Sequence, residues 1–241
     1  MASKPKTVPA PRPPPTAAPH RPGHDGLGAY LISPETAHPG VVIFHDAQYV
    51  AIRDMFPKAS VHALLLPRLP ARSNQHPISA FDDADFLAET RTAAEKLRAM
   101  VADELRRKVG GESLADAPWR ASLDDDQPGT TATIPSRDWS AEVRVGIHVH
   151  PSMNHLHVHV ISRDMHSPAL KHRKHYNSFN TPFFIELDEL PLALGDKRRM
   201  AGGEYLKDNF SCWRCGKMFG NRFKALKEHL GDEFEQWRRE W

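Results

Sequence analysis

Cysteine is nearly absent: the 241 residues contain two, Cys212 and Cys215, both in a single C-x2-C. Cysteines so close together cannot staple distant segments, which excludes a secreted disulfide scaffold. Long apolar runs are missing as well. No stretch approaches the roughly 20 residues that span a bilayer. The opening MASKPKTVPAPRPPP has no hydrophobic region of the signal-peptide kind, so no membrane association is expected and an intracellular protein is. No glycine-rich loop carries a Walker lysine, which argues against ATP-driven work. A dominant charge is also lacking, the total being +2. Divided along the chain, that total hides four basic residues and no acid in 1–23, a net −6 over 24–196 and a net +4 over 197–241. Basic ends flanking an acidic middle are compatible with a nucleic-acid partner. What is present in quantity is apolar sequence, 40% of the chain, and histidine, with eight of 15 between His148 and His175. Segments such as VVIFHDAQYVAIRD can form a buried core, and the length suits one medium domain with an appendage or two small ones.

Residues 1–25 read as a disordered, basic, proline-rich tail, since proline removes backbone donors and little apolar surface offsets the ordering entropy. GLGAYLISP (26–34) suits a short helix stopped by Pro34. Segments 41–46 and 49–54 read as a hairpin around Asp46-Ala47-Gln48, and 62–67 as a third strand. From 79 to 107, Phe86, Leu87, Ala94, Leu97, Met100, Val101 and Leu105 recur at helical spacing, with Ser79 or Asp82 as candidate caps. Residues 109–138, rich in Gly, Pro, Asp, Ser and Thr, read as a surface insertion. Strands resume at 142–149 and 155–162, while 183–195 is ambiguous. The last 35 residues form a small module around the cysteines.

In His155-Leu156-His157-Val158-His159-Val160-Ile161 the period is two, so on a strand the three imidazoles share one face and Leu156, Val158 and Val160 enter the core. Three readings of that face stand side by side. It is a polar strand face and nothing more, or a metal site, or a phosphoryl-transfer site. For the second, alternate residues lie about 7 Å apart, so one ion suits two of these imidazoles better than three. For the third, a neutral imidazole attacks phosphorus when its other nitrogen is held as N–H, while flanking histidines position phosphate and stabilise the developing charge.

The H-φ-H-φ-H-φ-φ pattern (φ apolar) resembles the motif of the histidine-triad superfamily of nucleotide hydrolases and transferases. IRDMFPKASVHALLLPR (52–68), HPSMNHLHVHVISRDMHSPALKHRKHYNSFNT (150–181) and the terminal C-x2-C module are similar, in order and spacing, to the aprataxin branch, the DNA-adenylate hydrolases. That resemblance covers most of 41–233. It implies an α+β fold, a histidine-triad antiparallel sheet with helices over 26–195, followed by a zinc finger over 196–241. It implies His157 as the nucleophile that takes AMP from 5′-adenylated DNA nicks or ends, with His155 and His159 orienting it and contacting phosphate. His148 then stabilises the transition state, Ser152 contacts phosphate, Asp54 binds the ribose hydroxyls, and Lys58 and Lys171 lie near the phosphate path. Because the leaving group is a phosphate, charge stabilisation outweighs general-acid help.

In the terminal module Cys212 and Cys215 are followed by 13 residues to His229 and three more to Glu233. His229 and Glu233, four apart, share one helix face and can meet an ion held by the cysteine knuckle. Glutamate replaces the usual histidine, a substitution that fungal-type aprataxins share. Phe219 and Leu226 suit the apolar positions of a ββα finger. Redox chemistry would require a thioredoxin-like context that 200–241 lacks. Arg214, Lys217 and Lys224, among interleaved aromatics, are candidate DNA contacts, and Tyr30 is a candidate wedge at a DNA end. The implied cofactor is structural zinc, with none needed for catalysis. A monomer in the nucleus is expected, with DNA as partner and AMP as product. Two other classes remain open: a general hydrolase of adenylyl-lysine or dinucleoside polyphosphates with a structural finger, and a non-enzymatic DNA-binding adaptor.

Overall fold

The computed structural model describes residues 24–123 and 136–240. The expected disordered tail therefore lies outside the described residues, except for His24 and Asp25, which are tied down. Asn154 donates its backbone N–H to the His24 carbonyl at 3.1 Å and its Nδ2 to Asp25 Oδ1 at 2.6 Å.

Strands β1 (Val42–His45), β2 (Tyr49–Arg53), β3 (His62–Pro67), β4 (Val143–His148), β5 (Val158–Ser162) and β6 (Phe184–Glu186) form one antiparallel sheet in the order β1-β2-β3-β5-β4-β6. The hairpin turn is set by Asp46, whose Oδ1 accepts from the N–H of Gln48 and of Tyr49 at 2.8 and 2.7 Å. Helices α1 (Gly28–Ile32), α2 (Pro70–Ser73), α3 (Pro77–Ala80), α4 (Ala84–Val109), α5 (Ala117–Leu123) and α6 (Arg173–Asn180) surround it. The expected long amphipathic helix is α4, and it starts later than its apolar pattern suggested. Pro77–Ala80 is a separate turn, and the cap is Asp83, which accepts from Phe86 N, in place of Ser79 or Asp82. Helix α4 buries Phe86, Leu97, Val101 and Leu105 against Val143, Ile147, Leu156, Val158 and Val160. One sheet face is thus filled, and the period-two alternation sends His157 and His159 to the other.

Residues 109–138 differ from a plain surface insertion. Helix α4 runs through Val109, α5 follows, and 124–135 lie outside the described residues. Asp116, buried at 1% exposure, accepts from Arg137 N and Trp139 Nε1, both at 2.8 Å. The triad strand is shorter than expected, because His155, Leu156 and His157 precede its first paired residue, Val158. Helix α6 was not foreseen.

The C-terminal module is a ββα unit of β7 (Phe210–Ser211), β8 (Met218–Gly220) and α7 (Phe223–Trp237). Phe210, Cys212, Phe219, Leu226 and Leu230 share one apolar cluster with Ile161, Tyr176, Phe179 and Phe184 of the sheet and α6. Tyr176 Oη donates to the Ser211 carbonyl at 2.8 Å and accepts from Trp213 N at 2.9 Å. At the far end Trp237, 1% exposed, enters the main core and donates Nε1 to Glu142 Oε2 at 2.9 Å. The module is packed against the six-stranded sheet and its helices along its length.

Candidate active site and metal centre

His159 is the hub of the polar sheet face. It pairs with Gly146 on β4 and Leu64 on β3, so it sits mid-sheet. Ring centroids of His148, His157 and His62 lie 4.3, 4.9 and 5.2 Å from its own. Phe179 of α6 closes the cluster edge-on to His62 and His159. Burial in this apolar frame keeps the imidazoles neutral. The pKa of His62 is pushed down to about 4, and those of His148 and His159 fall well below the ordinary value for the same reason. His157 is lowered by burial and partly restored by a hydrogen bond. That bond joins His157 Nδ1 to the His155 carbonyl at 2.8 Å. A carbonyl only accepts, so Nδ1 carries the proton and Nε2 keeps its lone pair.

Two cavities meet at this cluster. One, of about 330 Å³, is lined by His62, His148, His150, His172, Lys174 and His175, among others. The second, of about 300 Å³, is largely apolar, with Leu27, Tyr30, Ile52, Met55, Leu64 and Met153 in its walls and His157 on its border. Asp54, Lys58, Ser152 and His159 belong to both. The Asp54 Oδ1 accepts from Phe56 N at 2.7 Å and fixes the 54–58 turn. Burial lowers the pKa of the Lys58 ammonium.

Of the nominated residues, His148, His157, His159, Asp54, Lys58 and Ser152 thus come together. The ring of His155 lies outside both cavities, against Gly28, where an added Cβ would meet its Cε1 at 3.1 Å. Its carbonyl, rather than its ring, reaches His157. Lys171 is exposed and borders neither cavity, whereas Lys174, three residues on and in α6, borders the first. His62 was missed. Its signal was a lone histidine opening the otherwise apolar strand HALLLP. Asp54, His62 and His159 place one donor atom each within 4.8 Å, but the His62–His159 hydrogen bond and the 3.3 Å approach of Asp54 to His62 account for that grouping.

In the finger, Cys212, Cys215, His229 and Glu233 bring four donor atoms within 4.8 Å of one another. Cys215 Sγ lies 3.2 Å from His229 Nε2, which lies 3.1 Å from Glu233 Oε1. Two thiols, an imidazole and a carboxylate at one point suit a small tetrahedral ion of the zinc kind. Lys217 and Lys224 are exposed beside it. Arg214 is not free, because its guanidinium pairs with Glu233 and Glu240.

Comparison with known proteins agrees with this geometry. Residues 35–166 match the HIT domain family, and 180–236 match the C2HE / C2H2 / C2HC zinc-binding finger. The aprataxin-like protein of Saccharomyces cerevisiae is 38% identical over 215 residues, spanning 86% of this chain and 94% of the relative. The chain belongs to the aprataxin family. The aprataxin-like protein of Schizosaccharomyces pombe is 32% identical over 213 residues, 88% of this chain and 82% of the relative. The crystal structure of the aprataxin ortholog Hnt3 in complex with DNA superposes with a TM-score of 0.71 at 31% identity, covering 89% of this chain and 96% of that one. Like other aprataxins, the protein is a histidine-triad hydrolase of DNA repair, in a family of DNA-adenylate hydrolases. Among the described residues no helix is long and apolar enough to cross a membrane.

Proposed function

We propose that the protein removes AMP from 5′-adenylated DNA through a covalent adenylyl-histidine at His157. The observation that carries this reading is the 2.8 Å bond from His157 Nδ1 to the His155 carbonyl. It leaves Nε2 as the nucleophile where an apolar cavity suited to a nucleoside joins one lined by histidines and lysines and suited to phosphate and DNA. Nε2 forms a bond to the adenylate phosphorus as the P–O bond to the DNA 5′-phosphate breaks, and the leaving phosphate takes the electron pair. The imidazolium that results is stabilised by the His155 carbonyl. Water then attacks the same phosphorus and the P–N bond breaks. AMP leaves, and the water proton passes to solvent. His159 and His148 face the transferred phosphoryl oxygens, Asp54 takes the ribose hydroxyls, and Lys58, Ser152 and Lys174 take phosphate oxygens. Lys171 lies further out on the DNA path.

The division of labour follows the chain. Residues 26–195 carry catalysis, and 196–241 form a structural zinc finger on Cys212, Cys215, His229 and Glu233, with Lys217 and Lys224 toward DNA. The reading includes a monomer acting in the nucleus. Nicked duplex bearing a 5′-adenylate and adenylyl-lysine, assayed at matched concentrations, test it. Turnover should favour the duplex, and equal or faster turnover of the small substrate would overturn the DNA-repair assignment.

A further inference from the structure

Glutamate as a zinc ligand creates a charge problem. Two thiolates, a neutral imidazole and a carboxylate carry three negative charges, against two positive on the ion, whereas histidine in the fourth place leaves the cluster neutral. Glu233 is only 6% exposed, so water screens the surplus poorly. One oxygen of its carboxylate, Oε1, faces His229 Nε2 at 3.1 Å. The other, Oε2, pairs with Arg214 Nη1. Arg214 lies inside the cysteine knuckle itself. The knuckle is braced by bonds from Gly216 N to the Cys212 carbonyl at 3.0 Å and from Cys212 N to the Lys217 carbonyl at 2.9 Å.

We infer that Arg214 is the counter-ion that makes glutamate workable as the fourth ligand, and that it ties the metal centre to the docking of the finger. The inference rests on the zinc reading given above. Arg214 returns the cluster to neutrality and occupies Oε2, which leaves Oε1 for the ion. Its second amino group pairs with Glu240. The Glu240 carbonyl in turn accepts from Ser113 Oγ at 3.3 Å and Ala115 N at 3.4 Å, and Leu114 N donates to the Arg239 carbonyl at 3.3 Å. A single guanidinium thus links a ligand of the finger to the segment after α4 in the catalytic half. It also explains why Arg214 is unavailable to DNA.

Chelator competition on the full-length protein measures zinc affinity without reference to activity. Arg214→Gln is expected to bind zinc about ten- to a hundredfold more weakly, the usual cost of losing a partner that holds a ligand. Adding Glu233→His to that variant should recover most of the loss, because the cluster becomes neutral without a counter-ion. Arg214→Lys, which keeps the charge and loses the fork, should fall between wild type and Arg214→Gln and guards against a folding artefact. Hydrogen exchange at the Leu114 and Ala115 amides should speed up in Arg214→Gln. Wild-type affinity in Arg214→Gln, or a double variant no tighter than Arg214→Gln, overturns the inference. A wild-type protein that binds no zinc overturns the zinc reading itself and the inference with it.

Discussion

At the scale of single residues, the site is organised by which nitrogen holds each proton. Lys58 N–H donates to His62 Nδ1 at 3.3 Å, and His62 Nε2 lies 3.0 Å from His159 Nδ1. Asp54 Oδ2 is also 3.3 Å from His62 Nδ1, but as a close charge and not as a bond of good geometry. The backbone donor therefore sets the tautomer. Nδ1 of His62 accepts and its Nε2–H donates, which leaves the proton of His159 on Nε2, a buried atom with no hydrogen-bond partner among the described residues and the donor that the proposed mechanism turns to phosphate. His62→Gln should lower single-turnover adenylate hydrolysis about a hundredfold, the scale of a misplaced catalytic group. His157→Ala should abolish the adenylyl-protein trapped by alkaline detergent quench and cut turnover by orders of magnitude, with DNA affinity retained. A second consequence is pH dependence. His62 has its pKa lowered to about 4 by burial. Between there and the unfolded value of about 6.5, the unfolded chain binds more protons, so stability rises with pH through that window. The thermal midpoint should therefore drop as pH is taken from 7 to 5, and His62→Gln should flatten the slope. The clustering of His157 and His159 was legible in the sequence because alternation encodes a face. His62 was not, since its partners come from β5 and a turn that no local pattern specifies.

Secondary-structure elements show a different balance. Apolar spacing gave α4 and the hairpin, but the start of α4 depended on whether Asp82 or Asp83 folds back on the first turn, which spacing does not encode. Helix α6 has few apolar residues and was invisible to periodicity. Its stability comes from Tyr176 and Phe179 packing into the cluster shared with the finger. Gly146 matters at this scale, since a Cβ there would lie 2.3 Å from the Ile185 carbonyl oxygen and 2.7 Å from the Phe184 ring. Gly146→Ala should destabilise the protein by about 1–3 kcal/mol, measured by denaturant unfolding, and displace His148 two residues on. The end of α7 is equally specific. Trp237 and Trp139 flank the Arg137 guanidinium, with ring centroids 4.7 and 4.6 Å from it. Arg137 Nη1 also donates to the Trp237 carbonyl at 2.6 Å. Losing so buried an aromatic costs about 3–5 kcal/mol, so Trp237→Ala should free the finger from the catalytic half. Limited proteolysis between residues 196 and 210 reads this out.

Across the whole molecule, the near-neutral total resolves into a polarity. Helix α4 lies on the sheet face opposite the histidines, and Asp82, Asp83 and Asp85 cluster about its start. Asp82 pairs with Arg199 and Asp83 with Arg72, while Asp85 is exposed. Asp124 to Asp126 fall outside the described residues. On the other face Lys58 and Lys174 line the histidine-rich cavity; on the finger Lys217 and Lys224 are exposed, with Lys224 Nζ 3.9 Å from Glu228 Oε1. If DNA lies along that face, removing one phosphate-contacting lysine lowers the slope of log affinity against log salt by about 0.9. Lys174→Ala and Lys224→Ala should each show that drop in a titration of nicked duplex between low and physiological salt. Asp85→Lys adds a positive charge on the opposite face, beyond a Debye length of about 8 Å at physiological salt, and should leave both slope and affinity unchanged. A gain in affinity from Asp85→Lys comparable to the loss from Lys174→Ala would mean that DNA contacts the helical face, and the polarity would have to be reversed.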